Sequence, residues 1–161
     1  MNSGQVDGAL QLDGVSGYAI TDTVLNPADG PFSVIAWIKG GTLDQVVLSQ
    51  TGAANWLCTD SVEGCLMTEL KKDAGRSKGV PLSSDAVIND GNWHRIGFVW
   101  DGSCRHLYVD GVEVASDAEP LSGLNDAYGG LYIGTGSNCA DGTFFSGLID
   151  DVRIYNRVVN P

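Results

Sequence analysis

Two Asp-Gly pairs, Asp101-Gly102 and Asp110-Gly111, punctuate the stretch "NWHRIGFVWDGSCRHLYVDGVEV" (92–114), and the residues around them alternate between apolar and polar. Asp-Gly tolerates the positive φ that tight hairpin turns demand. Period-two alternation is the mark of strands with one buried face. His94, Ile96, Phe98 and Trp100 share one face of the first run, and Leu107 and Val109 share one face of the next. A chain carrying this stretch must build consecutive antiparallel hairpins.

The remaining sequence extends the pattern. "ALQLDG" (9–14) and "GYAIT" (17–21) read as an opening pair of strands. "FSVIAWIKG" (32–40) is apolar on both faces, as expected of a strand covered from both sides inside a sandwich. "QVVLSQ" (45–50) and "GCLMTEL" (64–70) bracket a predicted loop at 51–63, and 71–79 is a polar turn region. "LYIGTG" (131–136) and "SGLIDDVRIYN" (146–156) supply the last strands. The expectation is ten to twelve strands, no helix and no linker, forming one all-β domain over 1–161. A chain of 161 residues is long enough to bury a core, and 22 glycines against 5 prolines suit a turn-rich sheet protein.

Charge narrows the partners. With 9 basic and 20 acidic residues the formal net charge is −11, which argues against nucleic acid and against anionic membrane surfaces. No apolar run reaches bilayer length, and the N-terminal segment has no signal-peptide pattern. The four cysteines, Cys58, Cys65, Cys104 and Cys139, contain no Cys-x-x-Cys pair and fit disulfides better than zinc. Cys58–Cys65 and Cys104–Cys139 are the preferred pairs among three connectivities. Disulfides imply an oxidising, extracellular setting, so the chain reads as a module of a longer protein.

The segments "ALQLDG…GYAI", "FSVIAWIK", "GNWHRIGFVWDGSCRHLYVDGVEVA" and "SGLIDDVRIYNRVV", in this order, resemble laminin-G-like jelly rolls of the concanavalin A-like lectin/glucanase superfamily. The resemblance implies a two-sheet antiparallel jelly roll, commonly one module of a secreted or surface protein beside other domains. It also implies a structural calcium held by an N-terminal Asp and an acid near the last strand. The matching positions are Asp13 with Asp150 or Asp151. Two adjacent acids in an apolar strand point to a bulge there.

Catalysis is not expected. Glycoside hydrolysis needs two carboxylates across the scissile bond. The nearest group, Glu113, Asp117 and Glu119, lacks the Glu-x-Asp-x-x-Glu spacing of the glucanase members. His94 and His106 have no nucleophile beside them in sequence, and His94 reads as a satisfied core residue. Sugar recognition remains, through aromatic faces and hydroxyl-bonding side chains. Trp37 and Trp93 are expected in the core, and Trp100 beside a turn. Trp56, in the predicted loop, is expected to be exposed and to bind ligand with Tyr128, Asn138, Asp141 and Phe144. Lys71, Lys72, Arg76 and Lys78 form the one basic cluster, a candidate anchor for an anionic sugar. The functional expectation is a non-catalytic module binding a poly- or oligosaccharide. The alternative is a protein-binding or spacer module.

Overall fold

A computed structural model describes residues 2–52, 54–71, 73–74, 77–117 and 123–161. Fifteen strands lie among them: β1 (Asn2–Ser3), β2 (Gly8–Asp13), β3 (Ala19–Ile20), β4 (Phe32–Gly40), β5 (Val46–Gln50), β6 (Asn55–Thr59), β7 (Cys65–Thr68), β8 (Asp73–Ala74), β9 (Ser77–Lys78), β10 (Leu82–Val87), β11 (Trp93–Trp100), β12 (Arg105–Val109), β13 (Val112–Ser116), β14 (Leu131–Ile133) and β15 (Ser146–Tyr155). All pairings are antiparallel. A seven-stranded sheet runs β1-β2-β15-β4-β11-β12-β13, a six-stranded sheet runs β10-β7-β6-β5-β14-β3, and β8 and β9 form a small ribbon. The only helical element among the described residues is one 3₁₀ turn, Pro27–Asp29.

The alternation places the core between the two sheets. Ile96, Phe98, Trp100 and Leu107 point inward from one sheet, and Leu48, Trp56, Leu66 and Leu131 from the other. Phe32 lies at the centre, with ring centroids 5.2 Å from Trp56 and 5.5 Å from Phe98, within aromatic contact range. β4 lies mid-sheet between β15 and β11, and residues 32–36 are buried on both faces, Ser33 under the C-terminal segment, where its Oγ donates to the Arg157 carbonyl at 2.9 Å. Asp110 (φ 53°) and Gly111 (φ 81°) make the expected two-residue turn between β12 and β13, both in the left-handed region.

Two expectations fail. The segment 51–63 is not simply a loop, because β6 runs through it and carries Trp56 into the core, completely buried. Trp56 is therefore a core residue and not an exposed binding aromatic. Trp37 and Trp93 are only half-buried, because their positions on β4 and β11 turn them away from the interior, while Trp100 is buried.

One buried charge escaped the pattern. Arg105 is 2% exposed, and its guanidinium bonds both oxygens of Asp117, Nε to Oδ2 at 2.6 Å and Nη2 to Oδ1 at 2.9 Å, with a third bond to the Leu70 carbonyl. This fork answers a guanidinium that burial would otherwise penalise heavily.

Candidate functional site

The acids expected to hold calcium do not form a ligand set. β15 pairs with β2 so that Ser146 faces Asp13 and Ile149 faces Leu10. Asp150 is thus four residues of strand away from Asp13, roughly 13 Å at strand rise. Each carboxylate is also engaged. Asp13 Oδ1 accepts the backbone N–H groups of Val15, Ser16 and Gly17 at 2.8–3.0 Å, and those bonds hold its carboxyl far below the usual carboxylate range. Asp150, buried, accepts the Val6 N–H at 2.8 Å. Asp151 pairs with Arg153 at 2.9 Å. The bulge itself is present: the β15–β4 register shifts between Asp150 and Arg153, with Asp151 at φ 47°. It separates two acids with structural partners, and the residues do not fit the calcium that the resemblance implies. Among the described residues, no three His, Cys, Asp or Glu side chains are placed to hold a metal ion.

The cysteines are four free thiols, which corrects the expected disulfides. Cys58 faces Met67 across the β6–β7 pair, so Cys65 lies on the diagonal, where strand geometry sets Cα atoms about 7–8 Å apart, too far for a bridge. Cys104 sits in the β11–β12 turn of the seven-stranded sheet, whereas Cys139 sits in the 134–145 loop at the other sheet. Burial pushes the Cys58 thiol up and so favours its protonated form.

Both histidines are satisfied by carboxylates. His94 Nδ1 lies 2.8 Å from Asp110 and its Nε2 3.0 Å from Asp90. His106 lies 3.0 Å from Glu113 and 3.2 Å from Asp101. Burial works against a charged His94, but the bonds to Asp110 and Asp90 outweigh it and raise its pKa. Asp90 is held down to about 2, first by the Asn92 N–H. Glu113 also accepts the Tyr108 hydroxyl, and Asp117 is committed to Arg105. Glu119 lies outside the described residues, as do Lys72 and Arg76 of the basic cluster.

A different surface is open. On the face of the six-stranded sheet turned away from the core, Ile20, Tyr132, Ser49 and Asn55 form one cross-strand row, fixed by the β3–β14, β14–β5 and β5–β6 registers. The loop 134–145 leaves β14 and folds across this face. Its anchors are Ser49 Oγ donating to the Thr135 carbonyl at 2.7 Å and Gly134 N–H donating to the Val47 carbonyl at 2.8 Å. Thr143 holds the loop's shape by donating through its hydroxyl to the Ala140 carbonyl at 2.7 Å. Between this loop and β6 lies a cleft of about 250 Å³ lined by Asn55, Glu69, Ser137, Asn138 and Thr143. Asn55 Nδ2 donates to Glu69 Oε2 at 2.8 Å, which fixes the amide and carboxylate toward each other.

Of the expected binding residues, Asn138 lines this cleft, exposed, with Asp141 exposed farther along the same loop. Phe144 ends the loop, 6% exposed, and its ring lies 6.3 Å from Tyr18, which stacks on Tyr132 at 5.8 Å and 28°. Tyr128 is 71% exposed but belongs to another group, its hydroxyl donating to Asp126, which in turn accepts from Asn26. Asn55, Glu69, Tyr18 and Tyr132 were missed. Tyr132 carried a signal, since it alternates out of phase with the inward Leu131 and Ile133 and must face outward. Asn55 and Glu69 carried none, being separated in sequence from each other and from Asn138.

Comparison with known proteins agrees with this architecture. A family model described as the concanavalin A-like lectin/glucanases superfamily, of the laminin G type, matches residues 13–161. The binding domain of Paraclostridial Mosquitocidal Protein 1 superposes with a TM-score of 0.73 at 14% identity, over 99% of this chain and 42% of that one. The heptameric SAP-like pentraxin of Limulus polyphemus gives 0.65 at 17% identity, over 92% and 76%. Domain 4 of AbnA, an extracellular GH43 arabinanase of Geobacillus stearothermophilus solved with arabinotriose, gives 0.56 at 21% identity, over 96% and 73%. At these identities the likeness is one of fold.

Proposed function

The chain belongs to the concanavalin A-like lectin/glucanase superfamily, and from that premise we propose that it is a non-catalytic carbohydrate-binding module that takes a saccharide in the cleft beside the 134–145 loop. The observation carrying this reading is the convergence of Asn55, Glu69, Asn138 and Thr143 in one cleft on the outer sheet face. Amide and hydroxyl groups can both donate to and accept from sugar hydroxyls, and the Glu69 carboxylate can accept from them. Two of the solved structures of like fold support it, one a binding domain and the other an arabinanase domain holding arabinotriose.

Absence of catalysis is part of the proposal. Glu69 is the sole carboxylate among the described residues lining the cleft, whereas glycoside hydrolysis needs two. Glu113 and Asp117, the nearest sequence candidates, are bound to His106 and Arg105. Extracellular location and attachment to a larger polysaccharide-active or surface protein belong to the same reading. The chain spans 42% of the mosquitocidal binding-domain chain, so such folds do occur within longer polypeptides.

The test is a glycan array followed by affinity gels with soluble polysaccharides, on the wild type and on Asn55→Ala. Binding in the micromolar to millimolar range, about 4–8 kcal/mol, is expected for such a cleft. Asn55→Ala should weaken it at least tenfold. Equal binding by the variant would move the site elsewhere. Release of reducing sugar from a bound polymer, lost in Glu69→Gln, would refute the non-catalytic assignment.

A further inference from the structure

Tyr18 and Tyr132 present their rings on the face that holds the cleft. Tyr18, 45% exposed, stacks on Tyr132 with centroids 5.8 Å apart and is backed by Phe144 at 6.3 Å. Ile20, 59% exposed, extends the apolar edge on β3. Burial in the core is not what holds these rings: Leu131 and Ile133 fill that role on the same strand. Tyr132 and Asn55 lie in one cross-strand row, separated by β5. Two strand spacings put them about 10 Å apart, with the loop anchored over Ser49 between them.

We propose that the Tyr18–Tyr132–Phe144 stack is a second subsite, and that the module binds an internal stretch of an extended, uncharged glycan chain across the sheet. The inference rests on the saccharide-binding reading of the cleft. Stacked aromatic faces recognise the C–H faces of pyranose or furanose rings. A polar cleft two strands away recognises hydroxyls of a sugar farther along the same chain. Neutrality follows from charge. The cleft is lined by Glu69, Asp141 lies exposed on its loop, and no lysine or arginine is among its described lining residues. The chain carries a net charge of −11. A uronate or sulfate would enter without a basic partner and against that field.

Calorimetric titration with cello-, xylo-, arabino- and galacto-oligosaccharide ladders, mono- to hexasaccharide, tests it on the wild type, Tyr18→Ala, Tyr132→Ala and Asn55→Ala. Both tyrosines are partly solvated, so the variants should fold, and matched melting temperatures verify it. Wild-type affinity should climb with chain length. Each tyrosine variant should lose about threefold to tenfold on the hexasaccharide and nothing on the shortest sugar that binds. Asn55→Ala should lose affinity at every length. Unchanged hexasaccharide affinity in both tyrosine variants, with Asn55→Ala impaired, would overturn the second subsite and leave the cleft standing. Oligogalacturonates binding more tightly than every neutral ladder would overturn the neutral assignment. No binding on any ladder would overturn the subsite and the cleft together.

Discussion

The hairpin region 91–114 and the loop 134–145 invite opposite readings in sequence and reverse them in three dimensions. The hairpins hold both histidines, Trp93, Trp100, Cys104 and several acids, yet their polar side chains answer one another: His94 with Asp90 and Asp110, His106 with Asp101 and Glu113, Tyr108 with Glu113. The loop 134–145 has no histidine, lysine or arginine, yet it frames a cleft on which the exposed Asn138 amide, bonded among the described residues only to its own loop, stands beside Asn55 and Glu69. Chemical density is therefore a poor guide to a site. What matters is which polar groups the fold leaves able to bond something else.

The sharpest break between sheet interior and binding face is at Trp56. Sequence placed it with the ligand-binding aromatics, whereas β6 buries it completely against Phe32. Trp56→Ala should cost about 3–5 kcal/mol of stability in urea unfolding, the usual loss for a large buried aromatic. Glycan affinity of the fraction that remains folded should be close to wild type. A stable variant with lost binding would return Trp56 to the surface.

Why this residue was misread shows where sequence stops. Period-two alternation is local, so β11, β12 and β15 were legible from their own residues, and β4 was legible from the length of its apolar run. In β6, Trp56, Leu57, Cys58 and Thr59 are all buried because this strand is covered on both faces, and alternation disappears. The preceding Gly-Ala-Ala-Asn then reads as loop. The strand β10 was missed because its buried Ser84 is polar. For the site the obstacle is different. Asn55, Glu69 and Asn138 are brought together by inter-strand register and by the path of one loop, and neither is written in any short segment. The same blindness to register paired Asp13 with Asp150, which the β2–β15 ladder holds apart.

The self-satisfied character of the hairpin region has a titration consequence of intermediate size. Both His94 nitrogens face carboxylate oxygens, and only the imidazolium supplies two donors. Its pKa is raised in the folded state from the ordinary 6.5. The stabilisation is therefore complete below about pH 6.5 and fades as pH rises through the folded value. The pair is partly solvated and screened, so the effect should not exceed about 1 kcal/mol. Urea unfolding at pH 5.5 and pH 8 should show the wild type losing stability at the higher pH, and His94→Gln losing less. An equal pH response in both proteins would mean that His94 is not held as the imidazolium.

The smallest stability effect is expected where the functional effect is largest. Asn138 is exposed, and its one side-chain bond to protein among the described residues is accepted from the Ala140 N–H at 3.2 Å, local to the loop. Removing it in Asn138→Ala breaks no core contact and leaves no buried group unpaired, so unfolding free energy should shift by no more than about 0.5 kcal/mol. The loop keeps its main supports, the Thr143 hydroxyl on the Ala140 carbonyl and Ser49 on the Thr135 carbonyl. The lost amide is nevertheless one of the groups that would bond a sugar hydroxyl in the cleft, and its removal should weaken glycan binding at least tenfold. Conversely, the exposed Tyr128, outside the cleft, should give neither effect as Tyr128→Ala. If Asn138→Ala destabilises the fold while binding survives, the loop is a structural cover, and the two regions differ in sequence alone.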